Sequence, residues 1–528
     1  MSYHWWQTGA LYQIYPRSFQ DSNGDGIGDL DGIRKRLDYL IWLGVDAIWL
    51  SPVYPSPMHD FGYDVAEYCG IDPIFGSLEN FDRLVEEAHK KQLKVILDFV
   101  PNHTSIVHPW FMASRRSRAD PKRDWYIWRN AAQDGGPPNN WISNFGGSAW
   151  TWDADTSQYY YHAYLAEQPD LNWRNPDVRA AMHEVLRFWL RRGADGVRVD
   201  VMWHLIKDAA LRDNPPNPAW TKTDPDIERL LQIHSADQPE VHDVISGLRK
   251  VVEEFNDRVL IGEIYLPVNR LVAYYGKNLR GAHLPFNFQL LNTAWTAPRI
   301  AQLIEYYEAS LPEGGWPNWV LSNHDRPRIA ARAGPEQARV AAMLLLTLRG
   351  TPTLYYGDEL GIGHVEIAQD RVQDPWAKRE PGLGVGRDPS RTPMQWDASA
   401  FAGFSTHEPW LPLTPDYETR NVAVMNSDKM SVLCLVRSLL HYRREHAALS
   451  KGAWRLLSQD SNVLAYERHH GDDRTIVVLN FTANPQAWSS YAQTKVRVAI
   501  STYGDQRLEP VGPLLRLRAN EGLILEPA

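Results

Sequence analysis

The chain has 528 residues, with 55 Lys and Arg against 64 Asp and Glu, a net charge of -9, and 44% hydrophobic and 23% charged residues. That composition supports a sizeable apolar core and excludes a disordered or low-complexity chain. A mildly acidic balance without a Lys/Arg run gives nucleic acid no footing, and two lone cysteines, Cys69 and Cys434, give none for a disulfide framework or a zinc site.

The N-terminus lacks the basic and apolar regions of a secretory signal, and no stretch approaches 18 consecutive apolar residues, so a cytoplasmic protein without a membrane partner is expected. Eight short β-rich runs follow in chain order: 12–15, 47–51, 94–100, 195–200, 259–263, 283–286, 319–323 and 353–356. Helical patterns alternate with several of them, at 78–92, 178–191, 241–254, 300–309 and 337–348. In the first of these, Leu78, Phe81, Leu84, Val85 and Ala88 share one face. Eight strands alternating with helices predict an α/β fold, a (β/α)8 TIM barrel, whose active site lies at the carboxyl ends of the strands.

The alternation breaks after the third strand. Residues 103–170 are rich in Trp, Asn, Gly, Pro and Tyr without helical period, which predicts an inserted subdomain. From 450 onward, alternating strands with polar turns predict a C-terminal antiparallel β domain, with a hairpin of 463–468 and 475–481 around His469, His470, Asp472 and Asp473. The predicted division is therefore a barrel of 1–102 and 171–449, an insertion of 103–170, and a β domain of 450–528. The hairpin histidines read as a solvated turn and not as metal ligands.

After the first strand, Asp21, Asn23, Asp25, Ile27 and Asp29 place oxygen donors on alternate residues in a D-x-N-x-D-G pattern, the opening of a calcium loop. The twelfth position is Gly32, so the bidentate Glu of an EF-hand is missing. A structural Ca²⁺, with Mg²⁺ possible in its place, is the reading preferred over a bare polar turn. At the strand ends stand Asp98 with Asn102 and His103, Arg198 with Asp200, Glu263, and His324 with Asp325. Each carboxylate has a bland explanation as a cap or loop hydrogen bonder. Glu263, after a fully apolar run, is expected to be desolvated and raised in pKa. Three carboxylates on one barrel mouth suit glycosidic bond cleavage, in which an acid protonates the leaving oxygen and a carboxylate works on the opposite face. The 22 tryptophans lean weakly the same way, since indole faces stack on sugars but also fill cores.

The motifs Asp98-Phe-Val-Pro-Asn102-His103, Gly196-Val-Arg198-Val-Asp200, Gly262-Glu263 and Asn323-His324-Asp325, in that order, resemble the signature regions of the α-amylase superfamily, glycoside hydrolase family 13. Gln168-Pro-Asp170-Leu-Asn172 and Arg391-Thr-Pro-Met-Gln-Trp396 are similar to markers of its α-glucosidase and oligo-1,6-glucosidase branch. The resemblance implies a retaining double displacement with Asp200 as nucleophile, Glu263 as acid and base, and Asp325 gripping sugar hydroxyls. It further implies sugar contacts from His103 and His324, a stacking platform at Tyr63, and Arg198 keeping Asp200 ionised. Asp60 with Arg391 resembles the pair that captures a terminal 4-hydroxyl. Val201 resembles the Val that accompanies α-1,6 activity, against an overall wording closer to α-glucosidases of broad linkage range.

The expected activity is an exo-α-glucosidase on a small oligosaccharide or disaccharide, acting as monomer or homodimer, with transglucosylation in second place. An oligo-1,6-glucosidase, or an isomerase or transferase such as trehalose synthase, remains the alternative. A non-catalytic transporter heavy chain is the rival from another class.

Overall fold

The computed structural model describes residues 3–489, 496–505 and 514–527. Its centre is a parallel sheet of eight strands: β1 (Leu11–Ile14), β2 (Ala47–Leu50), β3 (Lys94–Phe99), β7 (Gly196–Val199), β8 (Val259–Gly262), β9 (Leu284–Pro285), β10 (Asn318–Val320) and β11 (Thr351–Tyr355). Every residue of β1, β2, β7 and β8 is buried, as expected where the strands are packed on both faces. The pairing order β10-β11-β1-β2-β3-β7-β8-β9 wraps almost fully into a barrel. Among the described residues the β9–β10 seam lacks ladder bonds; β9 is two residues long and ends in Pro285, which has no N–H to give.

The helices fall where the apolar period placed them, at Leu78–Lys90, Pro176–Arg191, Val241–Glu253, Ala297–Ser310 and Pro335–Thr347. Their starts carry local signals. Ser77 and Asn80 form a capping box, and Asn175 caps the helix that opens with Pro176.

Between β3 and β7 lies a three-stranded antiparallel sheet of β4 (Trp128–Arg129), β5 (Trp150–Asp153) and β6 (Gln158–Tyr161), in the order β4-β6-β5. It is preceded by a helix, Pro109–Arg116, that the sequence pattern did not show. Eight residues with two arginines in the last turn are too few to display a period. The aromatic richness of the segment goes into packing: Phe111 meets Trp128 and Tyr160, and Trp141, Trp150 and Tyr161 form a second cluster.

The C-terminal strands are β12 (Ala453–Gln459), β13 (Val463–His470), β14 (Asp473–Asn480), β15 (Gln486–Ser489), β16 (Val496–Ser501), β17 (Leu514–Leu517) and β18 (Gly522–Pro527). They make a five-stranded antiparallel sheet, β12-β13-β14-β18-β16, and a β15-β17 pair. The β13–β14 hairpin is tighter than expected, because His470 pairs directly with Asp473 and Gly471, at φ +60°, takes the left-handed turn position. Fully buried Arg468 on β13 donates to the carbonyls of Thr347, Leu449 and Gly452, tying this sheet to the end of the last long barrel helix. A cavity of about 430 Å³ at the foot of the barrel, lined by His4, Trp6, His283 and Trp316, holds none of the suspected carboxylates; the chemistry gathers at the other end.

Candidate active site

The parallel register sets Asp98 of β3 beside Arg198 of β7, and Val199 beside Gly262. Arg198 and Asp200 lie two residues apart and so project to the same side. One guanidinium thereby meets three carboxylates: Asp98 Oδ1 at 2.8 Å, Asp200 Oδ1 at 2.7 Å and Glu263 Oε2 at 2.8 Å. Arg198 has no solvent exposure, and the three acids are almost as deeply buried. Among the described residues no hydrogen bond is made by Asp200 Oδ2 or Glu263 Oε1, which leaves one oxygen of each available.

Burial raises the carboxyls of Asp200, Glu263 and Asp98 above their ordinary values, while Arg198 pulls all three down. Arg198 works in the direction expected of it, favouring the ionised form of Asp200, but it is shared. One positive charge is divided among three acids, and the balance for Asp200 remains well above the usual carboxylate range. Glu263 is raised as its apolar run implied.

Val201 turns the chain sharply after Asp200. Its φ of +38° and ψ of 48° put a β-branched residue in the left-handed region, a costly conformation held by its surroundings. The turn aims the Val201 N–H at Glu263 Oε2, 2.7 Å away. The strain thus positions the acid as well as the nucleophile.

Asp325, after β10, stands in a different environment. Arg391 Nη2 donates to its Oδ1 at 2.9 Å, Arg387 Nη1 lies 3.3 Å from the same oxygen, and His324 Nε2 lies 3.2 Å from Oδ2. Burial works to raise this carboxyl, but His324, Arg387 and Arg391 outweigh it and hold Asp325 below the usual range. His324 is buried, its pKa pushed down to about 3, and its ring stacks on Tyr63 at 5.3 Å between centroids. The Tyr63 hydroxyl donates to Asp98 Oδ2 at 3.0 Å, so the two halves of the site are joined through it. His103 lies on the far side of Tyr63, its Nε2 3.0 Å from the Tyr63 carbonyl and its Nδ1 3.1 Å from Asn102 Nδ2.

The partner of Asp60 is Arg387, at 2.7 Å, and not Arg391. Arg391 is spent on Asp325 and on the His324 carbonyl, 2.9 Å from its Nε. Two contacts on Asp374, at 3.0 and 2.7 Å, hold the Arg387 guanidinium in place. Both arginines lie in the irregular segment after β11, where no period reveals which one points inward. Asp374 and Gln168, whose Nε2 donates to Asp60 Oδ2 at 3.3 Å, complete this wall. Sequence reasoning also passed over the buried ion pair of Lys207 and Asp170. With Asn102 Oδ1 2.8 Å from Lys207 Nζ, it joins the end of the insertion to the loops after β3 and β7. A lone Lys seven residues past Asp200 carries no signal in one dimension.

The candidate metal loop lies away from these groups. Asp21 Oδ1 accepts the N–H of Asn23 and Gly24, its Oδ2 accepts that of Gly26 at 2.8 Å, and Asp29 accepts from Ser22 and Gly32. Gly24 and Gly26, at φ +83° and +85°, make that curl possible. A Cβ on Gly26 would stand 2.4 Å from the Glu408 carbonyl. Among the described residues no three His, Cys, Asp or Glu side chains are grouped for a metal. A cation here would have to draw on Asn23 and a backbone carbonyl besides the acids.

The α-amylase catalytic domain matches residues 13–452, and the maltogenic amylase C-terminal domain matches residues 455–520. The chain belongs to the α-amylase family. Within that family, a probable α-glucosidase of Rhizobium meliloti (strain 1021) is 42% identical over 494 residues, 90% of this chain and 89% of that protein. The crystal structure of the α-glucosyl transfer enzyme XgtA superposes with a TM-score of 0.95 at 40% identity, covering 100% of both chains. The trehalulose synthase MutB from Pseudomonas mesoacidophila MX-45 follows at 0.92 and 34% identity, covering 99% of this chain and 100% of that one. This member of the α-amylase family is a glycoside hydrolase, and α-glucosidases are among its relatives.

Proposed function

We propose that this enzyme is an exo-acting, retaining α-glucosidase that removes glucose from the non-reducing end of short α-glucosides. One observation carries the reading: a single buried guanidinium contacts both Asp200 and Glu263, at 2.7 and 2.8 Å, and each acid keeps one oxygen available. A retaining pair stands closer together than an inverting pair, which must admit a water, and two acids that share one guanidinium suit the retaining, covalent route. In that route Asp200 attacks the anomeric carbon as the glycosidic C–O bond breaks, and Glu263 gives its proton to the leaving oxygen. Glu263 then takes a proton from water, whose oxygen displaces Asp200. Burial raises the Glu263 carboxyl above its ordinary value, the direction a general acid requires.

Asp325 and His324, with His103 and Tyr63, would hold the glucose ring. The Asp60–Arg387 pair, fixed by Asp374, joins the loops after β2 and β11 and would meet the terminal 4-hydroxyl. A wall at that point supports attack from chain ends. Asp21, Asn23, Asp25, Asp29 and the Ile27 carbonyl would hold Ca²⁺, which supplies rigidity to the loop after β1 and takes no part in the chemistry. Adding EDTA is then expected to lower the melting midpoint, and Ca²⁺ to restore it.

Glucosyl transfer is the second reading, supported by the likeness to XgtA, since a sugar or alcohol hydroxyl can replace water in the second step. A non-catalytic role is disfavoured by three acids standing intact around Arg198 and Arg391. No helix among the described residues is long and apolar enough to cross a membrane. The deciding experiment is product analysis on maltose, isomaltose, kojibiose, nigerose, trehalose and sucrose. Glucose released first as the α-anomer is expected. Isomerised or longer products would place transfer ahead of hydrolysis, and no turnover on the whole panel would overturn the assignment.

A further inference from the structure

Gln13 lies on β1 with no solvent exposure, its Nε2 2.8 Å from His324 Nδ1 and 3.3 Å from Ser51 Oγ. Nothing in the mechanism above uses it, yet the surrounding groups dictate what it must do. The Tyr63 hydroxyl spends its only hydrogen on Asp98 Oδ2, so toward His324 Nε2, 2.6 Å away, it can only accept. Asp325 Oδ2, 3.2 Å from the same nitrogen, belongs to a carboxyl held ionised by Arg387 and Arg391, and it too can only accept. His324 Nε2 must therefore carry the hydrogen. Burial keeps the ring neutral, so Nδ1 is a bare acceptor in the protein interior, and among the described residues the donor facing it is the Gln13 carboxamide.

We propose that Gln13 is a positioning residue of the glucosidase reaction, whose N–H locks the His324 imidazole in the Nε2–H form that faces Tyr63, Asp325 and the sugar. This rests on the proposed function, in which Asp325 and His324 grip glucose. The network runs without a gap from Gln13 through His324 and Tyr63 to Asp98, and from there through Arg198 to the nucleophile Asp200. A ring free to take the other tautomer would turn a lone pair toward the Asp325 carboxylate and leave Tyr63 without a donor. The groups facing His324 are Tyr15 after β1, Trp49 on β2, Tyr63, Asp325 beside it, Arg391 on its carbonyl, and the charges of Arg387 and Arg198. Apart from Asp325, every charged group there is cationic and opposes protonation of the ring.

Two substitutions and one spectrum test this. Gln13→Met removes the donor at similar size, and a roughly ten- to hundredfold loss in kcat is expected at every pH, with a smaller change in KM. The loss should be equal on maltose and on p-nitrophenyl α-glucoside, because the defect lies on the glucose side. Gln13→Glu puts a carboxylate opposite Nδ1 and favours a second proton on the ring. The acid limb of kcat/KM should then move up by about one pH unit or more, activity failing as pH drops through the raised His324 value. Wild-type pH profiles and rates in both variants would overturn the proposal. So would losses that merely follow the folded fraction measured by melting.

The ¹⁵N spectrum of the native enzyme, with His324 assigned by its loss in His324→Asn, should show Nδ1 without a hydrogen and Nε2 with one. A hydrogen on Nδ1 would overturn the proposal even if neither Gln13 variant folds. Failure of the wild type on the α-glucoside panel would instead remove the proposed function, leaving the ring-nitrogen result to stand by itself.

Discussion

Two carboxylate clusters face each other across the barrel mouth with opposite electrostatics. Around Arg198, one cation serves Asp98, Asp200 and Glu263, and burial leaves all three carboxyls raised. Around Arg387 and Arg391, two cations serve Asp60, Asp325 and Asp374, and both Asp325 and Asp374 are depressed despite burial. The side that must move a proton is short of positive charge, and burial shifts its carboxyls toward the protonated form. The side that must grip hydroxyls is well supplied, and its cations hold Asp325 and Asp374 below the usual carboxylate range. Similar residue types are thus set to different tasks by the ratio of cations to acids.

The largest test of that contrast is Asp200→Asn. Loss of the nucleophile should reduce kcat on the order of 10⁴-fold or more, and retention of most activity would remove Asp200 from that role. Next is Arg198→Met, which strips from the acid-rich cluster the cation that Asp98, Asp200 and Glu263 share. A stability loss of about 3–5 kcal/mol in denaturant unfolding is expected, together with near-complete inactivation. An unchanged unfolding midpoint would show that the guanidinium does not hold the three acids.

Glu263→Gln is smaller in scope. Rates on substrates with poor leaving groups should fall roughly 10²- to 10⁴-fold, with far less effect on activated aryl glucosides. Equal losses on both would argue against an acid role.

The smallest effect sharpens the comparison most. A carboxyl raised in the folded state keeps a proton that the unfolded chain has released. Asp200 therefore costs stability as pH rises from about 4 through its raised value. A depressed carboxyl does the reverse: Asp325 contributes stability above pH about 4 and loses it as pH falls through its folded value. Asp200→Asn should accordingly raise the melting midpoint at pH 8 by roughly 1–3 °C, whereas Asp325→Asn should lower it. Shifts of the same sign would mean that the two clusters do not differ as described.

Much of this was legible in one dimension. The eight strand runs were short, apolar and separated by 3.6-period segments, so the barrel could be read directly, and the acids stood at strand ends where barrels keep their chemistry. What escaped were contacts made by irregular chain. Arg387 and Arg391 sit four residues apart in a segment with no period, and only the fold sends the first to Asp60 and the second to Asp325. Gln13 carries no signal inside its strand run, and only the fold sets it against His324, 311 positions away.

By itself, then, the sequence determined the architecture and placed the three acids at strand ends, because periodicity and strand-end position are local properties that side chains express along the chain. The tertiary structure alone decided how charge is shared among them. Register brings Arg198 to three carboxylates at once, and loop packing brings two arginines to the other cluster. Proton affinities depend on those distances and on burial, neither of which is written in any stretch of neighbouring residues.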